Sequence, residues 1–176
     1  ALPSPYYVFE PSAGNGLFTT AFLPKQVWVN EIDHFRRSVL ESQGYGIITD
    51  LDSSIPANFS QQSEKFDIVV SNPPFDKLRK DISFNGTEFG VLDHIMAAIA
   101  LETMKPSGRA AIIVGGHTEF DELGRVKAGK NRKFINYLYK HYNVEDIINI
   151  DGTMYRKQGT SFNIRLILID GKKAVK

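Results

Sequence analysis

Phe66-Asp67-Ile68-Val69-Val70-Ser71-Asn72-Pro73-Pro74-Phe75 is the stretch whose reading decides the fold. A short apolar, β-branched run, Ile68 to Val70, stops at Asn-Pro-Pro, and an aromatic follows. Proline has no N–H to give to a sheet ladder, so the strand ends there. Asn72 is held extended by the proline after it. The product is a stiff elbow at the C-terminal end of a strand, with the Asn72 side-chain oxygen and the Pro73 carbonyl as two fixed acceptors. Two acceptors suit an amino group with two hydrogens, and Phe75 offers a face to a planar ring. Taken alone, Asn-Pro-Pro reads more simply as a strand followed by a proline-stiffened turn. What precedes it shifts the balance.

Phe9-Glu10-Pro11-Ser12-Ala13-Gly14-Asn15-Gly16 follows a first strand, Tyr6 to Phe9. The glycines allow a sharp turn and a close approach to a ligand. A dinucleotide fingerprint needs a third glycine, where Thr19 stands. Glu10 and Pro11 also suit a pyrophosphate poorly, because a carboxylate repels phosphate and welcomes an ammonium or sulfonium. A second strand, Gln26 to Asn30, ends in Glu31-Ile32, and Glu31 lies 17 residues after Gly14. That is about where an acid gripping ribose hydroxyls should stand. Asp50-Leu51, after a third strand from Tyr45 to Thr49, can hold and cover an adenine edge.

Strand-like and helix-like segments alternate along the chain, which predicts a mostly parallel sheet covered on both faces. A short helix is expected over residues 17–22, and another from Asp33 to Ser42 with Phe35, Val39 and Leu40 on one side. After the elbow, Asp76 to Gly90 reads as a long polar connection, a mobile lid over the site. A helix from Val91 to Met104 then stops at Lys105-Pro106-Ser107-Gly108. A fifth strand, Ala110 to Val114, precedes Gly115-Gly116 and a second polar loop. Lys133 to Tyr142 is helical, Val144 to Ile150 a sixth strand, and Ser161 to Ile169 a seventh. The last two are joined by about ten residues, so they should be antiparallel.

At 176 residues and 42% hydrophobic content, the chain suffices for one domain with a substantial core. It has no cysteine, which excludes disulfides, thiolate nucleophiles and sulfur-based zinc sites. The four histidines lack ligand spacing, so no metal is expected. No apolar run reaches membrane-spanning length and no signal peptide is visible, so a soluble, cytoplasmic protein without membrane contact is expected. The net charge of +1 hides an asymmetry. Residues 1–122 carry nine Lys/Arg against sixteen Asp/Glu, and residues 123–176 carry twelve against four. A basic C-terminal third suits a polyanionic partner, although a solvated basic helix would look the same.

Glu-Pro-x-x-Gly-x-Gly at residues 10–16, the acid after the second strand, Asp50 after the third and Asn-Pro-Pro-Phe after the fourth resemble the class I S-adenosylmethionine-dependent methyltransferases. Among these the order is similar to the DNA adenine-N6 methylases, and the likeness covers almost the whole chain. Asp93-His94-Ile95, Lys105-Pro106-Ser107-Gly108-Arg109 and Tyr155-Arg156-Lys157-Gln158-Gly159-Thr160-Ser161 resemble methylase domains of polyvalent or helicase-fused proteins from phages and conjugative elements. The resemblance implies a Rossmann-like, seven-stranded, mostly parallel sheet with the last strand antiparallel and helices on both faces. It implies S-adenosyl-L-methionine as cofactor, with Glu10 near the methionine amino group and Pro11, Ala13, Gly14 and Gly16 along its backbone. Glu31 would bind the ribose, Ile32 and Leu51 would flank the adenine, and Asp50 would bind the adenine amino group. Asn72, Pro73, Pro74 and Phe75 would form the catalytic elbow, with Asn72 also beside the cofactor. Two departures stand out: the segment usually found upstream of the first strand and a target-recognition domain are both missing, as in a domain of a larger polypeptide or a pared-down enzyme.

The expected reaction is methyl transfer to the exocyclic amine of a nucleobase, adenine N6 in DNA first. The same elbow suits an RNA base (adenine N6 or guanine N2) or a glutamine amide, and a catalytically silent nucleic-acid-binding domain is the alternative of another class. The loops after strands four, five and six should share one edge. They carry Lys77, Arg79 and Lys80, then Arg125, Lys127, Lys130 and Arg132, then Arg156 and Lys157, the expected contacts to a phosphate backbone.

Overall fold

Short β-branched runs alternate with helical stretches and pair, in the computed structural model, into one central sheet; residues 6–116, 121–155 and 162–174 are described. Strands β1 (Val8–Glu10), β2 (Val27–Asn30), β3 (Ile47–Thr49) and β4 (Phe66–Ser71) come first, with helix α1 (His34–Glu41) between β2 and β3. Strands β5 (Lys77–Phe84) and β6 (Thr87–Val91) follow, then α2 (Leu92–Glu102), β7 (Met104–Gly115) and α3 (Lys130–His141). Strand β8 (Tyr142–Ile150), the one-turn α4 (Gly152–Tyr155) and β9 (Ile164–Lys172) complete the order. The central sheet runs β3-β2-β1-β4-β7-β9-β8, and β9 alone is antiparallel to both neighbours. The expected architecture is the one observed.

Successive strand residues point to opposite faces, so the sheet has two cores. Phe9, Val69, Ile112 and Ile167 face α2 and α3, meeting Ile95, Ile99, Phe134 and Leu138. Val8, Val27, Val29, Ile68 and Val70 face the other way, toward Leu40 of α1. On the first face Phe9 stacks on Phe66 at 4.8 Å and meets Trp28 and Phe59 at 6.2 and 5.5 Å. Each such buried ring contributes about 1.5–3 kcal/mol.

Several expectations are corrected. Residues 17–22 form only one 3-10 turn, Leu17–Thr19. Helix α1 starts one residue after the expected Asp33, which instead caps it by accepting from the Arg36 N–H at 2.9 Å, but Phe35 is 80% exposed and only Leu40 of the expected apolar side is buried. Strand β7 begins at Met104, not Ala110. Met104 pairs with Phe66, then a register shift carries Lys105 to Gly108 past the ladder before Arg109 meets Ile68. A bulge therefore absorbs Pro106, which an even ladder would reject. Helix α3 starts at Lys130, three residues early, and β8 at Tyr142. The expected start of the last strand at Ser161 lies outside the described residues.

The largest correction concerns Asp76 to Gly90. It is a hairpin, β5–β6, closed by Asn85-Gly86 with φ of 48° and 73°. Positive φ at both central residues is the type I′ turn that fits strand twist. Phe89 is 2% exposed and packs edge-on against Phe134 and Tyr137. Leu78, Ile82 and Phe84 also lie against the main core. The polar count of this stretch masked its alternation.

Candidate active site

Parallel strands deliver their C-terminal ends to one edge, so Glu10, Asn30, Thr49 and Ser71 open onto it together. From β1 the chain runs outward through β2 to β3, then returns to place β4 on the other side of β1. The crevice at such a switch point is where open α/β sheets take ligands.

Asn30, buried at the end of β2, binds the loops there to one another. Its Nδ2 is shared among Pro11 O at 3.0 Å, Leu51 O at 2.8 Å and Ser53 Oγ at 3.0 Å. Its Oδ1 accepts from Thr49 Oγ1 at 2.7 Å and the Leu51 N–H at 2.9 Å. Sequence reasoning passed over Asn30; the signal was a carboxamide closing an otherwise apolar strand, one residue before an acid. Glu31 follows it, nearly buried, with both oxygens engaged: the Gly14 N–H donates to Oε2 at 2.7 Å and the Asp33 N–H to Oε1 at 2.8 Å. Each oxygen retains a further lone pair for a hydroxyl. Gly14 has φ +57° with open space where a side chain would begin. Gly16 has φ +80°, and a Cβ there would strike Tyr45 and Gln43. The first glycine thus leaves room at the edge, whereas the second is needed for packing.

Ala13 is buried, its N–H donating to Asn30 O at 2.9 Å. Ile32 is 62% exposed, a free apolar surface next to Glu31. Asp50 is exposed at the end of β3, 3.9 Å from Arg37, with Leu51 half-buried beyond it. At the elbow Asn72 and Phe75 are half-buried, Pro73 is buried and Pro74 is exposed.

Between the elbow and the glycine turn lies an electrostatic anomaly. Glu10 is 1% exposed, and its Oε2 has no hydrogen-bond partner among the described residues. Ser12 Oγ, just after β1, and Ser71 Oγ, at the end of the adjacent β4, are likewise buried and unpartnered. Burial, and then the neighbouring Glu31, push the Glu10 carboxyl well above the ordinary carboxylate range. Buried polar groups without partners are costly. Three of them at one mouth, one an acid with no counter-charge, fit a ligand that brings a cation and hydrogen-bond donors.

The expected basic contacts fare differently. Lys77, Arg79 and Lys80 are exposed on β5, just past the elbow. Strands β7 and β8 are parallel to β4, so the loops following them reach the same edge. Arg125 is paired with Asp121 at 3.0 Å. Lys127 lies before α3 and Arg132 is exposed on it. Lys130 donates to Gly90 O at 2.9 Å. Arg156 and Lys157 lie outside the described residues. Among the described residues no helix is long and apolar enough to cross a membrane.

A family model described as N-6 DNA Methylase matches residues 41–176. Comparison with curated proteins finds no match. Among solved structures, a Listeria monocytogenes protein assigned to the class I S-adenosylmethionine-dependent methyltransferases is similar, with TM-score 0.66 and 17% identity over 97% of this chain and 55% of its own. The M protein of the type I restriction enzyme EcoKI gives 0.66 and 17% over 95% of this chain and 40% of its own. A TehB-like S-adenosylmethionine-dependent methyltransferase from Corynebacterium glutamicum gives 0.56 and 16% over 97% and 82%. The chain spans about half the length of the first two. At these identities the likeness is one of fold.

Proposed function

Because the chain belongs to the N-6 DNA methylase family, we propose that it moves a methyl group from S-adenosylmethionine to the exocyclic amine of a nucleobase, adenine N6 in DNA foremost. The observation that carries this reading is the trio of unpartnered buried groups, Glu10, Ser12 and Ser71, set beside the Asn72–Phe75 elbow and the open turn at Gly14. Glu10 and the two serines would receive the charged amino-acid end of the cofactor. Glu31, already fixed by two backbone N–H groups, would accept the ribose hydroxyls. Ile32 and Leu51 would sandwich the adenine, and Asp50 would accept from its amino group. Pro11 and Ala13 would line the passage between these ends.

The cofactor, when bound, supplies an electrophilic methyl group. The residues of this chain do the positioning. An aromatic amine is a weak nucleophile because its lone pair is drawn into the ring. Accepting its two N–H bonds at Asn72 Oδ1 and Pro73 O turns that lone pair out of the ring and along one line. Orientation of this kind can supply several kcal/mol of the barrier. The nitrogen becomes acidic as it gains a bond and sheds a proton to solvent, so no histidine base is required. A base in duplex DNA must leave the stack to arrive, and Phe75 would replace part of the lost stacking.

Tritium transfer from labelled cofactor to DNA, RNA and protein in parallel tests the reading. Label is expected in DNA at the adenine amine. Asn72→Ala should remove most transfer, at least about a hundredfold, while leaving cofactor affinity nearly unchanged. Label in RNA or at a protein amide would reassign the substrate. No label anywhere, with the cofactor bound, would favour a silent binding domain.

A further inference from the structure

We propose that Lys130 is a positioning residue, one that sets the β5–β6 hairpin as an arm gripping the phosphate backbone beside the target base, and is not itself a phosphate contact. The inference rests on the nucleic-acid reading above and deepens it.

The hairpin begins within two residues of Phe75. Its ladder is broken at that end: Lys77 pairs with Val91 and Ile82 with Phe89, so residues 78–81 stand against Gly90 alone. Bulges of this sort re-aim side chains next to active sites. The side chains of Lys77, Arg79 and Lys80 have no hydrogen-bond or ion-pair partner among the described residues, and all three are exposed. Arg79 is four residues from Phe75, so at most about 14 Å away, or about four phosphate steps of a duplex strand. Three unpaired cations within reach of a flipped base are what a polyanionic strand would meet first.

The one acid in the bulge, Asp81, would neutralise them if it were free. It is drawn off instead. Lys130 Nζ stands 3.8 Å from Asp81 Oδ1 and donates to Gly90 O at 2.9 Å. Glycine at residue 90 leaves room for this approach, since a Cβ there would crowd the Lys130 ammonium and the Asp81 carboxylate as they now stand. Of the other nearby acids, Asp76 Oδ1 accepts from the Lys77 backbone N–H at 2.7 Å, and Glu88 stands toward the tip opposite Ser83. Lys130 is also the first residue of α3, where the helix dipole disfavours a cation, so helix electrostatics do not explain its place. It pins the bulge and holds its acid away from Arg79 and Lys80. Its own ammonium, half exposed, is engaged by Gly90 O and faces Asp81.

The test is fluorescence anisotropy of the 176-residue chain with a labelled 20-base-pair DNA duplex and with its single strand, over a salt series. Lys130→Met should weaken binding about tenfold near 0.1 M salt and lower the salt slope by about 1, because the released Asp81 cancels a neighbour. Adding Asp81→Asn to that variant should return affinity to within about twofold of wild type, and Lys130→Arg should keep it. A direct phosphate contact independent of Asp81 predicts that Asp81→Asn strengthens binding as much in the wild type as in the Lys130→Met background, which would overturn the proposal. Should Lys130→Met unfold, Arg79→Ala with Lys80→Ala decides: its salt slope should fall by about 2 with cofactor affinity unmoved, and an unchanged slope would overturn the arm. Failure of the wild-type chain to bind either probe would take down the nucleic-acid reading, and this inference with it. Binding with a failed rescue would sink the inference alone.

Discussion

Glu10 makes the sharpest prediction at the level of single residues. Burial and the adjacent Glu31 raise its pKa, so the free protein holds a proton there over a window above the usual 4.5. A ligand that brings positive charge favours the ionised carboxylate and expels that proton. Cofactor affinity should therefore climb as pH rises through the window and level off once the free protein has lost the proton. Glu10→Gln should flatten the profile. Calorimetry in buffers of different ionisation enthalpy would read the released proton directly, and a pH-independent wild type would remove Glu10 from the site. The sign for folding is the opposite one. A raised folded pKa gives stability that is present at low pH and lost as pH rises past it, so an empty site costs more as pH rises. Asn30 belongs to the same scale: its carboxamide, used on Pro11, Thr49, Leu51 and Ser53, ties the loops at the crevice to one another.

Among the elements, the hairpin separates what the sequence could tell from what it could not. The elbow was legible because proline forbids a continued ladder. Helix α1 and its Leu40 position were legible from periodicity. The hairpin was not, although Asn85-Gly86 is a strong short-range signal for one, because the stretch is mostly polar. What makes it an element is tertiary: Phe89 fills a place between Phe134 and Tyr137 that no local pattern announces. Phe89→Ala should cost about 3–5 kcal/mol of stability, measured by urea unfolding, as for other fully buried aromatics. A cost below about 1 kcal/mol would return the stretch to the status of a loose lid. The exposed Phe35 was misjudged for the converse reason. Helical spacing identifies a stripe, but only the neighbouring strands decide how much of it is covered, and α1 buries little beyond Leu40.

For the whole molecule, the mostly parallel sheet and the antiparallel last pair were legible in the connections, since short joins force antiparallel pairing and long ones permit crossovers, whereas the strand order was not. One contribution to the acid response of the fold comes from a histidine on α2. His94 lies buried on α2, stacked on Phe134 at 4.3 Å. Burial first, then the Arg165 and Lys130 charges, lower its pKa from 6.5 to about 4. A depressed pKa gives stability that is complete above 6.5 and lost as pH falls through about 4. The contribution is about 3 kcal/mol. His94→Phe should keep the stacking and be less sensitive to acid across that window; parallel thermal-melting curves at pH 7 and pH 4.5 would check it, and an equal loss in both proteins would count against it. One further consequence lies in the reversed direction of β9. Strand β1 sets out from the lower rim, where Tyr7 meets Asp67, and β9 returns to that rim, where Lys172 reaches Glu102 and Lys173 reaches His141. The two described ends of the polypeptide therefore hang on the same side, a full strand length from the crevice. Geometrically the fold is a cassette: spliced into other polypeptide by both ends, it would still present its mouth outward.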